Sequence, residues 1–245
     1  MKEYLSTIYK NMKECYKYMA SLNPIGDIWA ISQNPFTDFI NTCAMIDGKL
    51  LKLSDVDIKF IATLSSTDFK GNSRNPERGL IRYQLMEVLV RIAEEKYIKN
   101  NVEDNYTGAV KALINDHCLP YFKQFDAQKW RDDRYWNEEC DDVLKYYRPV
   151  LENIYTQYSK KKVKPGQKKF MSLEELSAIC KKADVYDEFF VERDSNLAFN
   201  LAMMTQFDEL GSDRIFQMSF VEFLEAVGRM ADKASKNIIG RVLKN

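Results

Sequence analysis

The feature that most restricts how this chain can fold is a repeat. Gln84-Leu85-Met86-Glu87-Val88-Leu89-Val90-Arg91-Ile92-Ala93 returns 138 residues later (222 − 84 = 138) as Glu222-Phe223-Leu224-Glu225-Ala226-Val227-Gly228-Arg229-Met230-Ala231, with Glu, Arg and Ala identical in place. A second correspondence sets Phe36-Thr37-Asp38-Phe39 against Leu173-Glu174-Glu175-Leu176, Cys43 against Cys180 and Asp47 against Asp184, at 137 (173 − 36 = 137). A weaker third sets residues 56–60 against 197–201, at 141 (197 − 56 = 141). The order of segments is preserved, so duplication of one architectural unit is the simplest account. A chain of 245 residues has room for two such units.

The repeated segments read as amphipathic helices. Leu85, Val88, Leu89 and Ile92 follow the three-and-four spacing of one helical face, as do Phe220, Phe223, Leu224, Val227 and Met230 in the second copy. The same spacing predicts helices near 3–21, 36–47, 54–65 and 81–98 in the first half and near 137–159, 172–183, 195–208 and 219–234 in the second. Between them, Tyr106 to Phe122 holds a further helical stretch, with Ala109, Leu113 and Ile114 on its face and Pro120 ending it. Nine Gly and six Pro are too few for an all-β chain with a turn every ten residues, so the fold class is all-α.

Thirty-six Lys+Arg balance thirty-six Asp+Glu, which leaves no global field to steer the chain to nucleic acid or an anionic membrane. Five widely spaced cysteines with no C-x-x-C pair fit free thiols in a reducing compartment. The first residues lack the apolar core of a signal peptide, and no stretch approaches the ~20 apolar residues of a membrane span. These features lead to an expectation of a cytoplasmic or cytoskeletal protein.

Met218-Ser219-Phe220-Val221-Glu222-Phe223 resembles the second half of an EF-hand, with an apolar residue four before an acid and an aromatic directly after it. The resemblance implies two helix–loop–helix units, one pair, in each half: a first lobe over 1–98, a helical connector over 99–135, a second lobe over 136–235 and a tail over 236–245. In that family a twelve-residue loop offers oxygen ligands at positions 1, 3, 5 and 12, with an apolar residue at 8 that pairs with the sister loop. The resemblance assigns positions 8 and 12 to Met218 and Glu222, to Met171 and Glu175, and to Leu80 and Gln84; the first loop fits worst, with Asn34 and Asp38.

Counting back from these anchors leaves too few oxygens. Positions 1, 3, 5 and 6 become Gly211, Asp213, Ile215 and Phe216 in the fourth loop, and Lys164, Gly166, Lys168 and Lys169 in the third. They become Ser73, Asn75, Glu77 and Arg78 in the second, and Asp27, Trp29, Ile31 and Ser32 in the first. A hard dication asks for six to eight oxygens, so no metal or other cofactor is expected. A wider pattern, Trp130-Arg131 … Tyr135-Trp136 … Cys140-Asp141-Asp142-Val143-Leu144-Lys145 … Ile154-Tyr155 … Tyr158 followed by Met171-Ser172-Leu173-Glu174-Glu175, is similar to calmodulin-like modules of axonemal EF-hand proteins in ciliated protists. That similarity implies a scaffold part along ciliary microtubules, with tubulin or axonemal scaffold proteins as partners.

Other chemistry is hard to assemble from these residues. His117 is the only histidine, no Gly-rich phosphate loop is present, and no nucleophile–base–orienter set can be named, which argues against an enzyme. Lys160, Lys161, Lys162, Lys164, Lys168 and Lys169 form the one basic run, read either as a solvated loop or as a clamp for an acidic surface such as tubulin tails. Tyr155, Tyr158 and Phe170 beside it would support nucleic-acid stacking only if exposed. Met203 and Met204 are candidates for a partner groove, or for core filler. The sequence therefore supports a non-catalytic adaptor, with a calcium-responsive sensor as the alternative.

Overall fold

The computed structural model describes residues 1–23, 28–65, 78–159, 165–166, 168–203 and 211–242, with side chains as far as Lys236. It is 72% helical with one two-stranded sheet, as the all-α reading requires. The chain divides between Asp126 and Ala127 into two compact units.

The first unit runs α1 (Lys2–Ser21), β1 (Ile31–Ser32), α2 (Gln33–Thr42), α3 (Leu53–Ser65), β2 (Gly79–Leu80), α4 (Arg82–Ala93), α5 (Tyr106–Leu113) and α6 (Leu119–Phe122). Single π turns continue α4 over Glu94–Ile98 and join α5 to α6 over Ile114–Cys118. Its core takes one stripe from each helix: Met12, Cys15 and Met19 of α1, Phe36 and Phe39 of α2, Val56 and Phe60 of α3, Leu85, Val88 and Ile92 of α4. Each large side chain so buried contributes roughly 1.5–3 kcal/mol. The 106–122 stretch adds Val110, Leu113, Ile114, Cys118 and Phe122 to the same core, and Phe122 stacks on Phe39 at 5.9 Å. The break thus falls at Asp126, rather than being spread over a connector at 99–135: the helix expected there is a core element of the first unit.

The second unit runs α7 (Ala127–Trp130), a π turn (Arg131–Tyr135), α8 (Glu138–Tyr158), α9 (Leu173–Lys182), α10 (Glu192–Ala202), a 3₁₀ turn (Asp213–Phe216) and α11 (Phe220–Val242). Asn137 caps α8 by accepting from the Cys140 amide at 2.9 Å, and Glu138, Glu139 and Asp141 stand in its first turn, where the helix dipole favours negative charge. α11 continues well past the expected end at 234, so most of the 236–245 tail is helix. Among the described residues, no helix is long and apolar enough to cross a membrane.

The two units repeat in detail. The Tyr16 hydroxyl donates to the Trp29 carbonyl, and the equivalent Tyr155 hydroxyl (155 − 16 = 139) lies 3.2 Å from the Lys169 carbonyl (169 − 29 = 140) and 2.9 Å from that of Met218. α2 and α9 both end with a residue at positive φ, Ala44 at 48° and Asp184 at 53°. The next amide in each case reaches back to close the helix, Met45 to Ile40 at 3.2 Å and Val185 to Cys180 at 3.0 Å. Asp47 and Asp187 (187 − 47 = 140) then cap the following loop: Asp47 accepts from the amides of Lys49, Leu50 and Leu51, and Asp187 from those of Phe189 and Phe190. Asp184, paired with Asp47 in the sequence reading, instead sits where Ala44 does.

Candidate functional site

In both units the helical hairpins are joined at their loops by a short antiparallel contact. Ile31 lies opposite Leu80 and Ser32 opposite Gly79 in the first. Gly79 is required there, since a Cβ would stand 2.8 Å from that of Ala30. In the second, Met171 and Met218 exchange N–H···O bonds of 2.9 Å in both directions. Leu80, Met171 and Met218, which the EF-hand resemblance puts at the pairing position, each make such a contact. The first loop differs: Ile31, not Asn34, makes the contact, so the register is shifted by three and the residue four further on is Pro35, not Asp38. Asp38 is exposed on α2, its carbonyl accepting from Thr42 at 2.7 Å.

In the other three loops the residue four after the pairing position, which would close a metal loop, is engaged with its own helix start. Glu175 Oε2 accepts from the Ser172 amide at 2.7 Å and its hydroxyl at 2.9 Å. Glu222 Oε2 accepts from the Ser219 amide and hydroxyl, both at 2.8 Å. Gln84 Oε1 accepts from the Ile81 amide at 2.9 Å. Each is a capping interaction that satisfies an orphan donor of the helix it opens.

The fourth loop goes further. Arg214 Nη2 lies 2.6 and 2.7 Å from the two carboxylate oxygens of Glu222, while Nη1 donates to the Gln217 carbonyl. The guanidinium thus takes the twelfth-position carboxylate and the seventh-position carbonyl together, two groups that an EF-hand gives to its dication. Burial pushes the Glu222 carboxyl up, but the bonds from Arg214 and Ser219 outweigh it and hold it below the usual range. Nothing in the sequence reading pointed to Arg214, because it counts only the ligand positions and Arg214 stands at position 4, between two of them.

In the fourth loop the closing carboxylate is already taken by Arg214 and Ser219. Among the described residues, no three His, Cys, Asp or Glu side chains converge as a metal set. The third loop presents exposed Lys168 and Lys169 where oxygens would be needed. Lys160, Lys161, Lys162, Lys164 and Met204, with Asp27, Ser73, Asn75 and Glu77, lie outside the described residues. Met203 is 2% exposed and so packs inward, which removes it as a surface contact. His117 is likewise tied down, its Nδ1 3.0 Å from the Cys43 carbonyl. Cys15, Cys43, Cys118 and Cys180 are buried, and burial pushes their thiols up, Cys43 to about 12.

Two further charged sites were not legible in sequence. Lys96 is nearly buried and donates to the Met45 carbonyl at 2.6 Å and to Asp47 at 2.9 Å, fastening the end of α4 to the α2–α3 loop; this lysine, with three backbone amides, holds the Asp47 carboxyl well below its usual range. In the second unit, Glu225 lies between Arg131 and Arg229 at 2.9 Å each, and the Arg229 guanidinium sits 4.0 Å over the Trp130 ring. Trp130 Nε1 in turn donates to Asp232 at 3.0 Å. This network fixes the 127–135 segment onto α11. No protein-family model matches the chain, and no curated protein matches it either.

Proposed function

We propose that this chain is a non-catalytic adaptor of two EF-hand-like lobes that are calcium-independent and bind protein partners. The observation that carries the reading is the engagement of Glu222: the acid that would close a metal loop is satisfied by Arg214 and Ser219. An arginine is always protonated, so this substitute cation does not come and go with calcium or with pH near neutrality. The paired loops, Ile31–Leu80 and Met171–Met218, support the lobe architecture, and the tied-down histidine and raised thiols support the absence of catalysis.

The axonemal placement rests on the sequence likeness and makes the partners ciliary scaffold proteins or tubulin. Co-sedimentation of the purified chain with salt-washed ciliary doublets is expected to enrich it in the pellet; a chain left in the supernatant defeats that placement. Calorimetry with calcium is expected to be flat up to millimolar concentration. A micromolar binding isotherm would instead establish a sensor. Arg214→Ala is expected to leave Glu222 a buried acid without its cation and to loosen the fourth loop, seen as faster amide exchange at the start of α11.

A further inference from the structure

We infer that the groove between α8 and α11 of the second unit receives a basic amphipathic helix from a partner protein; this rests on the adaptor reading above and specifies its site. The first unit shows what such a groove holds, because there the chain fills it with its own segment 106–122. Tyr4 of α1 donates to Asn115 at 2.8 Å and lies 5.6 Å under the Lys111 ammonium, while Tyr106 donates to Glu94 at 3.0 Å, so the segment is held from α1 on one side and from the end of α4 on the other.

The repeat carries these positions into the second unit. Tyr4 and Leu5 correspond to Val143 and Leu144 of α8 (139 apart, as Tyr16 is from Tyr155), and Leu89 and Ala93 to Val227 and Ala231 of α11 (138 apart, as Leu80 is from Met218). Leu89 and Ala93 are fully buried, at 1% and 0% exposed, whereas Val227 is half-buried and Ala231 exposed. Those four second-unit residues line an open cavity of about 630 Å³, and a second cavity of about 710 Å³ shares Leu144 and Tyr135 in its wall. Val143, Tyr146, Tyr147 and Val150 continue an exposed apolar stripe along α8 at helical spacing.

Charge selects the occupant. Around the two cavities most charges are already paired, Asp133 with Lys129, Asp141 with Lys145, Arg148 with Glu152 and Arg134 with Asp232, which leaves Glu138 and Glu139 at the start of α8 to set the sign of the rim. The rim therefore favours a helix that brings Lys or Arg to flank its apolar face, as Lys111 does within the first unit.

Cys140 lines the groove and is the one cysteine that is not buried, so its alkylation reports on occupancy in the intact chain. The probe is a twenty-residue helical peptide with leucine on one face and lysine on the other, its control the same peptide with glutamate for lysine. The lysine peptide is expected to bind at micromolar concentration and slow Cys140 alkylation at least tenfold, and the glutamate peptide to do neither. Val143→Asp and the double variant Glu138→Lys with Glu139→Lys change exposed residues, and each is expected to weaken binding about tenfold. Binding unaffected by both variants, equal binding of the glutamate peptide, or Cys140 shielded by concentration-dependent self-association would each overturn the inference. If the peptide fails while the chain still pellets with doublets, the groove is refuted and the adaptor reading stands.

Discussion

The same Glu–Arg pair one helical turn apart occurs in both units and is used in opposite ways. In the first, Arg91 and Glu87 meet at 2.6 Å with about a third of each side chain in water, 32% and 33% exposed. In the second, Glu225 is fully buried and Arg229 nearly so, with Arg131 as a third member and Trp130 as a lid. Water screens the first pair, so it contributes no more than a few tenths of a kcal/mol, about 0.3–0.5. Around the second the charges have lost their water and depend on one another. Identical residues at equivalent positions therefore differ in consequence because the 127–135 segment covers this face of α11, whereas in the first unit Glu87 and Arg91 stay partly in water.

Removing the central acid tests this most severely. Glu225→Ala leaves Arg131 and Arg229 buried without a counter-charge and is expected to cost about 3–5 kcal/mol, while Glu87→Ala is expected to cost under ~0.5 kcal/mol. Denaturant unfolding gives the totals, and hydrogen exchange of peptides from α11 and α4 shows which unit loosens. Equal costs at the two positions would break the comparison.

The acid dependence sharpens it. Asp232 is desolvated, which alone would raise its pKa, but the bonds from Lys236, Trp130 and Arg134 dominate and bring it down to about 2 from an ordinary 3.8. A carboxylate lowered on folding stabilises above its unfolded value and loses that contribution as pH falls through the folded one. Up to about 2 kcal/mol is therefore present at neutral pH and disappears between about pH 4 and pH 2. Asp232→Asn should be less stable than the parent chain at pH 7 and converge with it near pH 2. A gap that persists in acid would assign the effect to packing.

How far the sequence disclosed this depends on the kind of signal. The 138-residue offset was legible because α4 and α11 carry one apolar face each, and the structure keeps that offset in the Leu80–Met218 correspondence. The first loop was displaced by three because helical faces repeat every three or four residues, so Phe36 and Phe39 align with Leu173 and Leu176 almost as well as with Leu176 and Ile179. A two-residue strand contact fixes the register, and two residues have no periodicity to read. The 106–122 helix was legible as a helix, but amphipathicity says only that a face needs covering, not which surface covers it. The 127–135 segment, a four-residue helix and one π turn, was too short for any pattern, and Arg214 acts through a geometry that forms only once the fourth loop closes on Glu222.

Gly228 records the cover more gently. Its missing Cβ would stand 2.8 Å from the Tyr135 ring, whereas the first unit has Val90 at the equivalent place. Gly228→Val is expected to push Tyr135 off α11 at a net cost of about 1–2 kcal/mol, the overpacking being partly offset by better helix propensity. The decisive readout is protection of the Trp130 indole from oxidation: it should fall in Gly228→Val and stay unchanged in Val90→Gly.

The smallest expected effect lies where the units agree in backbone and differ in side chain. Ala44 and Asp184 both close a helix at positive φ, but alanine has no polar group with which to favour that conformation, and aspartate does. Ala44→Gly removes the strain at the expense of a more flexible unfolded chain, for a net gain of about 0.5 kcal/mol. Asp184→Gly is expected to change stability by less than that, since aspartate already tolerates the left-handed region. Thermal unfolding of the two variants side by side decides the point. A larger gain at Asp184 would mean that the two helix ends, despite matching φ values of 48° and 53°, are held by different forces.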